Sequence, residues 1–200
     1  MAEGKLKSLL AFGGFAMLIF LVSCGPQATP TPGRRTYSAP PLMTIDLEKT
    51  YIATIETNKG TMKFRLLPEL APKTVNSFVF LAREGFYDGL TFHRVVAGFM
   101  AQGGAPLGDE GGDAGYTLPA EFSQEKHITG TLAMARKPEE PDSAGSQFYI
   151  ALRELSFLDG EYTVFGQMME GEEVLNQLTV REPGSEIAPD VILSITIEER

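Results

Sequence analysis

The sequence predicts a mainly β domain, a closed antiparallel barrel with two helices. Three observations predict it. Short runs of alternating apolar and polar residues recur from residue 50 to 199, the period of half-buried strands. Two stretches carry the helical period instead. Strand-like runs stand at both ends of the region, and closing the sheet removes the edges they would otherwise expose. A sandwich of two sheets satisfies the same pattern.

The elements follow in order. Tyr51–Thr57 (YIATIET) is β-rich, Asn58-Lys59-Gly60 reads as a turn, and Thr61–Leu66 puts Met62, Phe64 and Leu66 on one face, which together predict a hairpin. Pro72 opens a helix whose apolar residues Val75, Phe78, Val79 and Ala82 fall at i, i+3, i+4 and i+7, with Gly85 as its stop. Further strands are expected at 91–96, 99–102, 131–135, 147–152 and 162–168, and a second helix at Glu172–Leu178. The last strand spans Val191–Ile197, with Val191, Leu193, Ile195 and Ile197 alternating. There is no internal repeat.

Composition narrows the function. Of 200 residues, 17 are Lys or Arg and 26 are Asp or Glu, a formal charge of −9. Nucleic-acid affinity rests on basic contacts to phosphate, so a nucleic-acid partner is excluded. Hydrophobic residues make up 43%, enough for a packed core. A chain with 21 Gly and 13 Pro is expected to be rich in turns. The single Cys forbids an internal disulfide, and two His argue against a His-rich metal site; no metal or cofactor is expected.

The first residues read as an export address. Lys5 and Lys7 precede an apolar run, Leu9–Val22, of 14 residues, shorter than the roughly 18 to 20 that span a bilayer. Leu21-Val22-Ser23-Cys24 resembles the lipobox of bacterial lipoproteins, in which the Cys is acylated and the chain is cut before it. The resemblance implies a signal peptide at 1–23, lipidation at Cys24, and an extracytoplasmic protein lipid-anchored to a bacterial cell membrane or outer membrane. Two or more acyl chains give stable anchoring, at about 0.8 kcal/mol per buried methylene. Gly25–Pro41 contains Pro26, Pro30, Pro32, Pro40 and Pro41 and no apolar period. It is expected to act as a semi-rigid spacer at about 3.1 Å per residue. The organisation is therefore 1–23 signal, 24–49 lipidated Cys and tether, and 50–200 folded domain.

Four blocks lie in the folded region: Phe92-His93-Arg94-Val95-Val96-Ala97-Gly98-Phe99-Met100-Ala101-Gln102-Gly103-Gly104, Leu132–Arg136 (LAMAR), Gly145–Ile150 (GSQFYI) and Phe157–Gly166 (FLDGEYTVFG). In this order and spacing they resemble the cyclophilin family of peptidyl-prolyl cis/trans isomerases. The resemblance covers about residues 50 to 199. It implies an eight-stranded antiparallel barrel capped by two helices, with the substrate groove on the outer barrel face.

Carried over by position, the resemblance places the catalytic arginine at Arg94 and its polar neighbour at Gln102. It places the proline pocket at Phe99, Met100, Tyr149 and Leu158, and the backbone that pairs with substrate at Ala135 and Arg136. Gly111 and Gln147 line the groove further along. Phe157 stands where the family often has Trp, so cyclosporin-type inhibitors are expected to bind weakly. Tyr162 stands where His is common. Tyr149 stands where Phe is usual, which is expected to put a hydroxyl at the pocket. Phe148 alternates with Tyr149 and is expected in the core.

These residue types suit the reaction. Rotation about X–Pro breaks amide resonance against a barrier of about 18–20 kcal/mol, and no bond is made or cut. Arg94 is expected to donate to the proline nitrogen of the twisted amide, with Gln102 steadying it and the apolar cup gripping the ring. Proline-containing polypeptides, chiefly exported ones, are the expected partners of a monomer. The alternative is a non-catalytic module that holds proline-containing peptides as a chaperone or assembly factor.

Other features read as structural. His93 and His127 are far apart in sequence with no nucleophile nearby. Gly103–Gly115 lacks the GK[ST] ending of a phosphate loop and carries Asp109, Glu110 and Asp113, so it reads as a loop of the groove. Gly145-Ser146 does not fit G-x-S-x-G.

Overall fold

The first hairpin forms where the alternation places it. In the computed structural model, which describes Met1 and residues 35–108 and 112–200, β1 (Tyr51–Thr57) pairs antiparallel with β2 (Gly60–Leu66) from Ile52↔Arg65 to Thr57↔Gly60. Met62, Phe64 and Leu66 are buried together. Thr57 closes the turn, its Oγ1 donating to Gly60 O at 2.8 Å and accepting the Lys59 N–H at 3.0 Å. Gly60 has φ +136°, and a Cβ there would sit 2.7 Å from Val174 Cγ2, so glycine is required. Cys24, the apolar run before it and Gly111 lie outside the described residues.

Helix α1 (Pro72–Arg83) begins on its proline and buries Val75, Phe78, Val79 and Ala82. Its first turn is capped from a distance. The Glu121 carboxylate accepts the N–H groups of Lys73 and Thr74 at 3.0 and 2.9 Å, a negative charge at the positive end of the helix. Gly85, at φ +65°, turns the chain away after the helix.

The remaining elements are β3 (Thr91–Phe92), β4 (Arg94–Val96), β5 (Met100–Gly103), β6 (Thr131–Met134), β7 (Phe148–Ala151), β8 (Val164–Glu170), α2 (Glu172–Leu175) and β9 (Asp190–Glu199). Helix α2 is shorter than expected. Beyond Leu175 the bonds tighten to Gln177 N–H to Val174 O at 3.0 Å and Leu178 N–H to Leu175 O at 3.3 Å.

Among the described residues, nine strands form one antiparallel sheet in the order β3-β9-β1-β2-β8-β6-β7-β5-β4. The expected count of eight becomes nine for a local reason. The run 91–96, read as one strand, is interrupted at His93. Its first half pairs with β9 and its second with β5, so the two ends of the sheet are joined through one residue of chain. The barrel nearly closes at that residue. Arg181 braces the junction: its backbone exchanges hydrogen bonds with Val95 at 2.8 and 3.0 Å, and its guanidinium donates to the His93 carbonyl.

Strand β9 departs from the expected face. Leu193 is 55% exposed, whereas Ile192 and Ile195 are buried. The register explains it: Glu56 faces Ser194 and Thr57 faces Ile192, so Leu193 is the extra residue of a β-bulge and the parity of the strand changes there.

Within the barrel Phe78 meets Tyr87, Phe148 and Phe165 at centroid distances of 5.2, 5.7 and 5.1 Å. Phe148 is fully buried, as its alternation with Tyr149 implies.

Part of the stretch read as a tether touches the barrel, at Tyr37 and at residues 41–45. Tyr37 packs edge-on against Phe80 at 5.1 Å and donates its N–H to Ala114 O at 2.7 Å. Asn76 of α1 accepts the Thr44 N–H and donates to Leu42 O, each at 2.9 Å. Ile45 is buried in the core. Proline content alone could not reveal this, because the anchors are an aromatic ring and one amide on a distant helix.

Candidate active site

The pleat of the strands separates two faces. Val95, Ala101, Ile150 and Leu132 oppose one another across β4, β5, β7 and β6 and point into the main core. The next row, Arg94, Gln102, Tyr149 and Ala133, is offset by one residue and faces outward. Met100, Ala133, Tyr149 and Val164 form a second, separate apolar cluster there, joined by Phe99, Ala135, Leu158 and Tyr162.

A cavity of about 560 Å³ opens on this face. Arg94, Phe99, Met100, Gln102, Ala135, Arg136, Gln147, Tyr149, Leu158 and Tyr162 all line it. Phe157 does not. It is 65% exposed and stacks on Phe99 at 6.1 Å, outside the cavity wall. Gly112 and Asp113 line the cavity beside the undescribed Gly111. Lys137, Pro138, Ser143 and Gly145, to which the resemblance assigns no role in the site, complete the far end.

The polar groups are held individually. Arg94 Nε donates to Glu182 Oε2 at 3.0 Å, a partner that no motif signalled, in the loop after Arg181. Gln102 Nε2 donates to Gln147 Oε1 at 2.8 Å, and Gln147 Nε2 donates to Gly112 O at 3.1 Å. This amide chain ties β5 to the loop at 112. Arg136 acts as a staple. Its guanidinium donates to the carbonyls of Glu161, Lys137 and Pro138 at 3.0, 2.9 and 2.5 Å and lies 4.6 Å over the Tyr162 ring. It therefore fixes both rims of the groove at once. The Ala135 N–H donates to Gln147 O at 3.0 Å.

The Tyr149 hydroxyl does not serve the cavity as expected. It bonds to Nε2 of fully buried His127 at 2.9 Å, so the ring presents its apolar face to the groove. Burial, with Tyr162 nearby, pushes the phenol well above its ordinary pKa, and Arg136 opposes this only in part. Tyr149 is a hydrogen-bonding neutral phenol at every working pH. Among the described residues, no group of three or more His, Cys, Asp or Glu side chains is placed to hold a metal ion.

Known proteins resemble this chain in sequence and fold. The family described as cyclophilin type peptidyl-prolyl cis-trans isomerase/CLD matches residues 52–197. A peptidyl-prolyl cis-trans isomerase of Helicobacter pylori is 46% identical over 137 residues, covering 66% of this chain and 83% of that one. Peptidyl-prolyl cis-trans isomerase B of Bacillus subtilis is 45% identical over 120 residues, covering 59% and 82%. The crystal structure of a Cryptosporidium parvum cyclophilin type peptidyl-prolyl cis-trans isomerase superposes with a TM-score of 0.70 at 32% identity, covering 74% of this chain and 98% of that one. With an outward groove on a nearly closed β-barrel, and a family match running almost the full length of that barrel, the chain belongs to the cyclophilin-type peptidyl-prolyl cis-trans isomerases.

Proposed function

We propose that this isomerase works outside the cytoplasm, tethered by lipid on Cys24, and speeds rotation about X–Pro bonds in exported polypeptides, with Arg94 as its catalytic residue. The observation that carries the reading is the sharing of one cavity by the Arg94 guanidinium and the apolar side chains of Phe99, Met100, Tyr149 and Leu158. The C. parvum relative was crystallised in the presence of the dipeptide Ala-Pro, which supports a proline-containing peptide as the ligand here. The export pattern of residues 1–24 supports the location.

The chemistry follows from what the amide does. Planar cis and trans forms both delocalise the nitrogen lone pair, and the twisted form returns it to nitrogen. A donor aimed at that nitrogen stabilises only the twisted form, and such selectivity lowers a barrier. Arg94 supplies a permanently charged donor. Phe99, Met100, Tyr149 and Leu158 hold the ring while the preceding carbonyl swings, and their apolar surface strengthens the donor by excluding water. A millionfold acceleration needs about 8 kcal/mol of such differential stabilisation. The test is a proline-peptide exchange assay on the full-length chain and its Arg94→Ala variant, with membrane fractionation of Cys24→Ser. Peptide binding without faster exchange in the unaltered chain would favour a non-catalytic holding module, and unchanged fractionation of Cys24→Ser would remove the anchor.

A further inference from the structure

His127 makes four hydrogen bonds from a fully buried position, and all of them run to the walls of the proline cup or their immediate supports. Its backbone N–H donates to Asp159 Oδ1 at 2.9 Å, and its Nδ1 lies 3.1 Å from the same oxygen. Its carbonyl accepts the Leu155 N–H at 2.8 Å. Its Nε2 meets the Tyr149 hydroxyl at 2.9 Å, and the two rings lie within 9° of parallel at a centroid distance of 6.1 Å.

The cup wall Leu158 ends the 3₁₀ turn Ser156–Leu158. Leu155 precedes that turn and Asp159 follows it, so His127 grips the turn at both ends. Tyr149, the other wall, comes from β7. We infer that Asp159 and His127 are positioning residues for prolyl isomerisation, a buried post that fixes the spacing between the Tyr149 and Leu158 walls of the proline cup. The inference rests on the isomerase reading of this site.

The direction of each bond follows from Asp159. Its carboxyl is held at about 2 by the His127 backbone N–H and by Lys126, whose Nζ lies 3.0 Å from Oδ2. Whenever the His127 ring carries a single proton, this acceptor holds it at Nδ1 and leaves Nε2 to accept from the Tyr149 hydroxyl. Without that orientation the ring proton can move to Nε2 and donate to the phenol oxygen, which leaves the buried Tyr149 O–H without an acceptor, and an unpaired buried donor is costly. The ring would then shift to find one, and misplacement of a binding wall by about 1 Å can cost as much as about a hundredfold in rate.

The test compares Asp159→Ala, Asp159→Asn and His127→Phe in the full-length chain, held in detergent, with a short X-Pro peptide as substrate. Asp159→Ala is expected to lower kcat/KM by about 10- to 100-fold, mainly through a raised KM, because the cup loosens while Arg94 is untouched. Asp159→Asn keeps an acceptor oxygen and is expected to recover most of the loss. The ¹⁵N spectrum of the His127 ring should show Nδ1 protonated and Nε2 bare, and Asp159→Ala should mix the two forms. A folded Asp159→Ala with unaltered kcat and KM overturns the inference. So does an Asp159→Asn as impaired as Asp159→Ala, or a ring protonated at Nε2. If His127→Phe fails to fold, the Asp159 pair decides. Lack of exchange activity in the unaltered chain would contradict the isomerase reading alone, since the ring spectrum still tests the post.

Discussion

Glu182 Oε2 accepts a hydrogen bond from Arg94 Nε at 3.0 Å, so the side chain expected to act on the amide is oriented by a carboxylate 88 residues further along the chain. Arg181, beside it, is bound to Val95 and to the His93 carbonyl, which brings Glu182 to β4. The pair is partly exposed, with side-chain exposures of 29% and 61%. Exposed pairs contribute up to about 1 kcal/mol. If all of that orients the guanidinium, Glu182→Ala lowers kcat/KM by at most about fivefold. The melting temperature should scarcely move, and the activity gap between the two proteins should narrow with added salt. Kinetics at low and high ionic strength check it.

Asn76 holds the chain between 41 and 45 against α1. Asn76→Ala leaves the Thr44 N–H and the Leu42 carbonyl without their partner. Each lost partner for a buried group costs about 1–3 kcal/mol, and the lower end applies because the site is only part-buried. Calorimetry should show a fall of about 2–4 °C per kcal/mol. Limited proteolysis should cut within residues 35–45 much faster in the variant than in the native chain.

Asp159 sets a pH dependence whose sign is fixed. Its pKa falls from 3.8 to about 2 on folding, so the folded state binds the proton less readily than the unfolded one. The stability it contributes is therefore complete above about pH 4 and is lost as pH falls through about 2. Asp159→Asn should flatten this part of the acid-unfolding profile and leave the profile above pH 5 unchanged in shape. Thermal melts between pH 2 and 6 check it.

Burial governs the cost at the barrel centre. Phe78 touches three aromatic rings and is 2% exposed. Phe78→Ala should cost about 3–5 kcal/mol, measured by urea unfolding.

Much of this was legible because period and motif report local facts. Met62, Phe64 and Leu66 share a face because a strand alternates, and α1 buries Val75, Phe78, Val79 and Ala82 because a helix repeats. The groove residues Arg94, Gln102 and Tyr149 sit in motifs and form one outward row across β4, β5 and β7. What escaped depends on partners remote in sequence. Leu193 was misread because a bulge opposite Glu56 and Thr57 changes the parity of β9. One strand became two at His93 because its halves pair with β9 and β5. The Tyr149 hydroxyl found His127, the Arg94 guanidinium found Glu182, and Asn76 captured the chain after Pro41. No spacing in the sequence encodes these three meetings.

The proposed role of the Arg94 guanidinium is to stabilise the twisted amide from the wall of the cavity. The direct measurement is cis–trans exchange of a proline peptide by NMR, comparing the unaltered chain with Arg94→Ala at matched folded concentration. Loss of one donor that acts in the transition state predicts a fall in kcat/KM of about 10² to 10³, with most of the affinity for the peptide retained. Exchange as fast in Arg94→Ala as in the unaltered chain would show that Arg94 takes no part in the rotation.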